Sequence, residues 1–290
     1  MAEFVRTSDA EGVRTVTIDR PEAHNAFNET VIDELTTAMV AAGDDASVRV
    51  VVLASVGPNF SAGADIPWMK RMVDYSREEN VADSGKMAAM FRAIRECRRP
   101  VICRVQGPCF GGGVGLVAAC DLSVSVAAAT FSLTEVRLGI IPAVISPYVT
   151  ERIGPGQIRR YALTAERFDA AEARRIGLVS EVVDDEAGLD DRIAFFVRLL
   201  KKAGPEALDH CKRVLRNIQP VDWDKVTMLT VDRIADRRVS PEGQDGLKAF
   251  LEKRAPGWIA VEEGAGGTGG TGGTGGAGGA RGAGGAGGGA

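Results

Sequence analysis

The sequence predicts an α/β fold in which strand–strand–helix units are followed by a helical C-terminal part. Short apolar or alternating segments, typical of strands, are followed by longer segments with helical spacing. This order recurs up to about residue 190, and only helical patterns continue beyond it. We therefore expect a core with the functional site over residues 1–195, a helical part over 196–262 and a disordered tail over 263–290.

The composition excludes several classes of protein. Of the 290 residues, 45% are hydrophobic and 26% are charged, and the net charge of −4 argues against nucleic acid as the main partner. No apolar run approaches the roughly 20 residues of a membrane-spanning helix, and the first residues lack a signal-peptide pattern. From Gly264 the chain is almost only Gly, Ala and Thr, so it has too little apolar surface to fold.

Cysteine and histidine usage predicts neither a metal site nor a disulfide framework. The five cysteines form no C-x-x-C pair, and the two histidines, His24 and His210, have no ligand-spaced partners. A reducing, cytoplasmic environment fits this pattern. Cys109 and Cys120 flank a glycine-rich segment, but their apolar neighbours favour inert buried thiols.

The first unit is a strand, a helix and a second strand. Residues 13–18 alternate as a strand does, and residues 48–54 form an apolar run typical of a buried strand. Between them Asn28 is a good N-cap for a helix over residues 29–40. The apolar positions of this helix repeat at helical spacing and are Val31, Ile32, Leu35, Met39 and Val40.

A loop of small residues follows the buried strand, over residues 57–66. Gly63 and Ala64 in it can present a backbone N–H group to a ligand, although an ordinary tight loop is the alternative. Residues 68–96 then have a largely helical pattern. It carries four methionines, for which core packing is favoured over a substrate wall, at positions Met69, Met72, Met87 and Met90.

A second small-residue loop follows the strand predicted over residues 101–105. Three glycines, residues 111–113, open a segment over 114–120 that is apolar on every face and is therefore a buried helix. A helix start leaves N–H groups unpaired, and glycine lets a ligand approach them. Close packing is the alternative explanation. Together the two loops make a two-donor site for an oxygen that becomes anionic plausible.

Glu135 lies among apolar residues, over positions 131–141. Apolar surroundings raise the pKa of a carboxyl group and make it useful as an acid or base. The alternative is a surface glutamate that begins a short helix.

Three other charged residues are expected to be structural. Arg137 could pair with Glu135, but a structural role is preferred, and Asp65 and Asp121 are expected to cap backbone donors.

Helices dominate the rest of the chain. Asp169 is a capping residue for a helix, and residues 178–183 form a closing strand. The predicted helices cover residues 156–163, 193–202, 205–218, 223–238 and 240–253.

Several motifs occur in a fixed order and resemble the crotonase (enoyl-CoA hydratase/isomerase) superfamily over nearly the whole chain. They are Arg20-Pro21, Asn25-Ala26 and residues 60–66, 107–113, 120–121, 135–142, 171–179 and 249–254. The segments 111–116 and 133–149 are most similar to bacterial 3-methylglutaconyl-CoA hydratases, whose relatives act on longer branched glutaconyl-CoA substrates.

The resemblance implies a spiral of ββα units in two roughly perpendicular sheets. It implies a C-terminal helical part that trimerises, giving a homotrimer or a dimer of trimers. The implied substrate is an acyl-CoA thioester, with no cofactor other than the coenzyme A it carries. Two backbone N–H groups, at Ala64 and Gly112, would hold the thioester oxygen.

The resemblance also implies a set of substrate-binding residues. Those expected near coenzyme A are Ala23, His24, Ala62, Asp65 and Ile66, with Phe250 and Lys253 as a C-terminal pair. Those expected nearer the acyl group are Gly111, Gly115, Pro142 and Tyr148.

The chain departs from the family at one catalytic position. Typical hydratases have two catalytic glutamates; the second falls on Glu135 and the first on Gly115. Three alternatives are open: Glu135 acts alone as base and acid, the substrate or another side chain supplies the second group, or the reaction needs only one base. We expect the space left by Gly115 to admit the branch or distal carboxylate of the substrate.

These features favour a hydratase that adds water across the 2,3 double bond of a branched glutaconyl-type enoyl-CoA, with Glu135 as acid and base. A single-glutamate isomerase or decarboxylase is the alternative within the family. A non-catalytic acyl-CoA-binding protein is the alternative outside catalysis.

Overall fold

The computed structural model describes residues 3–217 and 222–257, and strands and helices alternate along it as expected for an α/β fold. The strands are β1 (Val5–Ala10), β2 (Val13–Ile18), β3 (Val50–Ser55), β4 (Val101–Val105), β5 (Cys109–Phe110), β6 (Leu122–Val126), β7 (Thr130–Ser132), β8 (Phe168–Asp169) and β9 (Glu181–Val183). The α-helices are α1 (Glu29–Asp44), α2 (Ile66–Met72), α3 (Arg77–Glu96), α4 (Gly112–Ala119), α5 (Ser146–Thr164), α6 (Ala170–Arg175), α7 (Glu186–Lys202), α8 (Pro205–Asn217), α9 (Trp223–Val239) and α10 (Pro241–Glu252). Short 3₁₀ helices cover Pro21–Ala23 and Glu135–Leu138.

The strands form two sheets. The larger has the order β1-β2-β3-β4-β6-β9, and the smaller has the order β5-β7-β8. β1 is antiparallel to β2, and all later neighbours in the larger sheet are parallel. Parallel strands need crossovers; α1 connects β2 to β3, α2 and α3 connect β3 to β4, and α4 lies between β4 and β6. The predicted α/β class with a helical C-terminal part is confirmed.

Local signals fix several helix starts. The Asn28 side chain accepts a hydrogen bond from the Val31 amide at 2.9 Å, as an N-cap does. Asp169 likewise accepts from the Glu172 amide at 2.8 Å. Both predicted caps are confirmed, because a cap depends only on residues within one turn.

The core lies between the larger sheet and the helices that cover it. All six residues of β3 are buried, and so is every residue from Gly113 to Ala119 in α4. A helix that is apolar on every face has no side for water, and α4 accordingly packs against α3 and α5. This buried helix holds the glycine-rich loop at its start in a fixed place.

The structure also differs from the expectations. β1 was not predicted, because its residues are mostly polar and five of its six are exposed at the edge of the sheet. The helical segment 68–96 is two helices, separated before the capping residue Ser76. The expected border between residues 195 and 196 falls inside the continuous helix α7. Ile218 and the predicted tail over residues 263–290 lie outside the described residues.

A membrane-spanning helix would have to be both long and apolar. None of the helices within residues 3–217 and 222–257 meets both conditions.

Candidate active site

A cavity of about 810 Å³ opens where the loops after β3 and β4 meet. Because these strands are parallel neighbours, both loops leave the same edge of the sheet. The loops then run side by side, with the Phe110 amide donating to the Ser61 carbonyl at 2.9 Å. Residues 134–145 and the helices α9 and α10 provide the remaining walls.

Two backbone N–H groups on these loops have no hydrogen-bond partner in the part of the chain that the structure describes. The residues on either side of Ala64 are hydrogen-bonded to Phe27. The Phe27 amide donates to the Gly63 carbonyl at 2.7 Å, and the Asp65 amide donates to the Phe27 carbonyl at 2.8 Å. Among the described residues neither the Ala64 nor the Gly112 amide donates a hydrogen bond within the chain. A Cβ atom on Gly63 would lie 3.5 Å from the Gly112 nitrogen, so the two donors are on adjoining backbones. Such a pair can hold an oxygen that gains negative charge.

Glycine is required at this helix start for two reasons. Gly111 has a φ of +52°, which side chains disfavour. A Cβ atom on Gly112 would lie only 2.6 Å from Cε2 of Phe27. The glycines therefore allow close packing, which was the alternative explanation. The same packing also leaves the Gly112 amide at the cavity wall.

Glu135 begins the 3₁₀ helix after β7, and its carboxyl group turns inward towards the glycine-rich loop. Its Oε1 atom lies 3.3 Å from the position of a Cβ atom on Gly111. Its Oε2 atom is buried and has no hydrogen-bond partner among the described residues. Burial raises the pKa of Glu135 from 4.5 to about 7. The group can thus accept and return a proton near neutral pH.

The cavity around Glu135 is mainly apolar. Residues 140–145 line it without interruption. Three of the four methionines, Met69, Met72 and Met87, also lie in its wall, whereas Met90 is buried in the core. The preference for core packing is confirmed for Met69, Met72 and Met90, which are buried in the core, and Met87 packs against it. Met69, Met72 and Met87 also face the cavity, because α2 and α3 lie between the cavity and the sheet. Arg137 is exposed on the cavity wall and forms no ion pair with another described residue.

A buried ion pair fixes the rim of the cavity. Arg20 Nη1 lies 2.6 Å from Asp65 Oδ2, and the side chains are 13% and 6% exposed. Asp65 precedes α2 but makes no capping hydrogen bond, so the expectation that it caps a backbone donor was wrong. The Asp121 expectation is confirmed, since its carboxylate accepts from the Val101 amide at 2.7 Å.

The loop before α1 forms the opposite side of this rim. His24 and Asn25 both have left-handed backbones, with φ of 52° and 54°. The Asn25 side chain donates to the Val56 and Asn59 carbonyls at 2.7 and 2.8 Å. The Ala62 amide donates to the His24 carbonyl at 3.0 Å. These bonds compensate for the strained backbone and join the two rim loops.

Comparison with known proteins identifies the family. A profile described as enoyl-CoA hydratase/isomerase matches residues 8–260. The chain belongs to this family. A crotonyl-CoA hydratase of Syntrophomonas wolfei is 32% identical over 252 residues, covering 86% of this chain and 95% of that protein. A peroxisomal Δ(3,5)-Δ(2,4)-dienoyl-CoA isomerase of Arabidopsis thaliana is 28% identical over 266 residues, covering 88% and 95%.

Solved structures agree with this assignment. The crystal structure of an enoyl-CoA hydratase from Shewanella pealeana is 37% identical, with a TM-score of 0.73 and coverage of 89% of this chain and 96% of that one. The enoyl-CoA hydratase/isomerase family accounts for the α/β fold and implies an acyl-CoA substrate.

Most residues expected from the family resemblance meet in this cavity. Those that line it are Ala23, His24, Ala62, Ala64, Asp65, Ile66, Gly111, Gly112, Glu135, Pro142 and Phe250. Phe250 is 44% exposed at the entrance. Lys253 is an exposed residue that ends α10 with a φ of 55°, and it is not part of the cavity wall.

Gly115 leaves no open space. A Cβ atom there would lie 2.4 Å from Cγ2 of Ile145 and 2.9 Å from Cε1 of Phe91. The expectation that a substrate group enters at Gly115 was therefore wrong, because Ile145 already fills this volume.

Tyr148 also lies away from the cavity wall. It is buried between Phe91 and Trp223, with ring centroids 5.7 and 5.0 Å apart. Its expected contact with the substrate was wrong, since its ring packs within the core. Burial raises the pKa of the Tyr148 hydroxyl.

Sequence reasoning missed a buried polar group in the wall. Arg238 on α9 lines the cavity and is only 4% exposed. Its Nη1 donates to Asp83 Oδ2 at 2.9 Å and to Ser84 Oγ at 3.1 Å. The Trp68 indole donates to Asp83 Oδ1 at 3.0 Å. No sequence signal pointed to Arg238, which has the appearance of a surface cation in the last turn of a helix.

None of the five cysteines lines the cavity. Four are buried, and Cys211 is exposed. Burial raises the pKa of the Cys109 thiol well above its ordinary value, which makes it unreactive, as expected.

Proposed function

We propose that this family member hydrates the 2,3 double bond of a branched glutaconyl-type enoyl-CoA, such as 3-methylglutaconyl-CoA. The observation that carries the proposal is the Glu135 carboxyl group, with one oxygen unpartnered, in an apolar cavity beside two unpaired amides. The segments around Glu135 and the glycine-rich loop resemble that branch of the family. Coenzyme A enters as part of the substrate, and the reaction uses no other cofactor.

The reaction begins with the thioester oxygen bound by the amides of Ala64 and Gly112. Ionised Glu135 takes a proton from water, and the water oxygen forms a bond to C3. The electron pair of the double bond moves to the thioester oxygen as an enolate, where each amide donor contributes about 3–4 kcal/mol. Protonated Glu135 then gives its proton to C2, and the thioester carbonyl reforms.

Glu135 carries both proton transfers in this scheme. The other carboxylates that line the cavity are Glu22 and Asp65. Asp65 is held by Arg20, and the Glu22 side chain is 69% exposed at the rim. With Ile145 filling the space beside Gly115, a pKa of about 7 lets one carboxyl group serve as base and then as acid.

The test is a panel of acyl-CoA thioesters assayed in water enriched in heavy oxygen. The expected result is one labelled oxygen at C3 of the product, and a higher kcat/KM for 3-methylglutaconyl-CoA than for crotonyl-CoA. Equal efficiency on both thioesters would remove the glutaconyl assignment.

A second candidate is isomerisation, favoured by the single carboxylate because moving a double bond needs only one base. The similarity to the Arabidopsis thaliana dienoyl-CoA isomerase is consistent with it. The same experiment separates the two, since isomerisation or decarboxylation yields products without labelled oxygen at C3.

The proposed assembly is a homotrimer or a dimer of trimers. Its support is a set of exposed apolar side chains on α8 and α9, each more than half exposed: Val214, Leu215, Met228 and Leu229. Light scattering after size exclusion is expected to give three or six times the mass of one chain. A monomer would contradict it.

A further inference from the structure

Arg238 is a buried cation in the wall of a mainly apolar cavity. Its guanidinium group has five N–H donors. Among the described residues Nη1 alone donates, to Asp83 and Ser84. Nε is buried without a hydrogen-bond partner. Nη2 has no hydrogen-bond partner among the described residues, and Arg238 lines the cavity.

The two unused nitrogens form one edge of the guanidinium plane. Elsewhere in this protein the same edge binds a carboxylate with two hydrogen bonds. Arg14 donates from Nε and Nη2 to the two oxygens of Asp9, at 2.8 and 2.6 Å. In Arg238 the Nε atom of this edge is buried, so Nη2 is the donor that the edge offers to a carboxylate in the cavity.

Within the chain the charge of Arg238 is only partly compensated. Asp83 shares its two oxygens between Arg238 and Trp68. Burial raises the pKa of Asp83 and lowers the pKa of Arg238, since desolvation outweighs their mutual attraction. An added carboxylate would supply both the missing acceptor and the missing negative charge.

The surroundings hold the guanidinium group in place. Its Cζ atom lies 5.9 Å from the centre of the Trp68 ring, which is fully buried. On the same helix, Arg237 donates to the Gly139 carbonyl at 3.1 Å, just after the 3₁₀ helix of Glu135. Arg238 and Glu135 thus lie on connected parts of one cavity wall.

We propose that Arg238 binds the distal carboxylate of the acyl chain and selects thioesters of dicarboxylic acids over plain enoyl-CoA thioesters. The proposal rests on the proposed function for its acyl class. A carboxylate oxygen accepts from Nη2 at the cavity, while Nη1 keeps its hydrogen bonds to Asp83 and Ser84. The distal carboxylate, which was expected to lie near Gly115, is thus bound at Arg238 instead.

The test uses the double variant D83N/R238M, which removes both buried charges and leaves neither unpaired. The readout is the ratio of kcat/KM for 3-methylglutaconyl-CoA to that for crotonyl-CoA. Loss of a charge-assisted hydrogen bond is expected to lower this ratio by at least about tenfold. R238K, which keeps the charge without the planar edge, is expected to give an intermediate ratio. R233M, on the exposed side of the same helix, is the control and is expected to leave the ratio unchanged.

A binding measurement keeps the proposal testable if hydration fails. Calorimetry with the saturated thioesters glutaryl-CoA and butyryl-CoA needs no turnover. The wild-type protein is expected to prefer glutaryl-CoA, and both D83N/R238M and R238K are expected to weaken that preference. An equal preference in folded variants, or none in the wild type, overturns the role of Arg238. Absence of hydration with the preference intact overturns the proposed reaction alone.

Discussion

Glu135 titrates near neutral pH because its carboxyl group is buried beside glycine and apolar residues. Its Oε2 atom has no partner among the described residues, and burial raises the pKa of the carboxyl group more than the hydrogen bond to its own backbone lowers it. The same burial that raises its pKa to about 7 places it beside the two free amides. The position of the Glu135 carboxyl group and its raised pKa therefore both follow from the packing around it.

The raised pKa of Glu135 predicts a pH dependence of stability. Between pH 4.5 and 7 the folded protein holds a proton that the unfolded chain has lost. The stabilisation is therefore fully present below pH 4.5 and is lost as the pH rises through about 7. Relative to Glu135→Gln, the free energy of unfolding of the wild type is expected to fall on the order of 3 kcal/mol across this range. Urea denaturation at several pH values measures it, and parallel curves for the two proteins would contradict the buried carboxyl.

Gly112→Ala tests the amide donor. Its Cβ atom would lie 2.6 Å from Phe27 Cε2, so the helix start must move. We expect kcat to fall roughly 10²-fold, the effect of losing one oxyanion donor. The control is Gly85→Ala, because nothing lies within 4 Å of that position. Comparable kcat values for the two variants would rule out the Gly112 amide.

Gly115→Glu tests whether the missing carboxylate can be restored. The position is filled by Ile145, so the new side chain overpacks the core. A loss of stability of at least about 2 kcal/mol is expected, without a gain in kcat. Ile145→Gly in the same chain is expected to recover part of the lost stability. A stable and faster Gly115→Glu single variant would show that the space is open after all.

At the scale of elements, α9 and α3 are held together by charged pairs of different depth. Arg238 and Asp83 are 5% and 9% exposed, whereas the Asp224 partner of Arg92 is 78% exposed. The Arg238–Asp83 pair is buried and joins α9 to α3 at the cavity wall. The Arg92–Asp224 pair is exposed to water and contributes little to stability.

This difference predicts unequal costs of removing the two aspartates. Asp83→Ala leaves the Arg238 charge buried and unpaired, which is expected to cost about 3–5 kcal/mol. Asp224→Ala is expected to change the free energy of unfolding by less than about 1 kcal/mol. Chemical denaturation of both variants gives the comparison. Similar values would mean that α9 is not fastened through Arg238.

Elements could be predicted where their signals are local. Asn28 and Asp169 cap helices through their own first turns, so the sequence is sufficient there. β1 was missed because an edge strand with five exposed residues has no apolar pattern. Arg238 was missed because its burial depends on Asp83, which lies 155 positions away.

At the scale of the whole molecule, the cavity joins segments from residue 20 to residue 256. Parallel strands bring the loops after β3 and β4 to one edge, and the C-terminal helices cover it. The family resemblance predicted which loops meet, since its motifs are read in order along the chain. It did not predict that Ile145 fills the place beside Gly115, because that contact depends on packing across 30 positions.

The most direct test of the account is the single-turnover rate of Glu135→Gln on 3-methylglutaconyl-CoA near pH 7. Glutamine keeps the size of the side chain but cannot carry a proton between water and C2. The account predicts a rate lower by roughly 10²–10⁴-fold, with the thioester still bound. A rate equal to that of the wild type would contradict it.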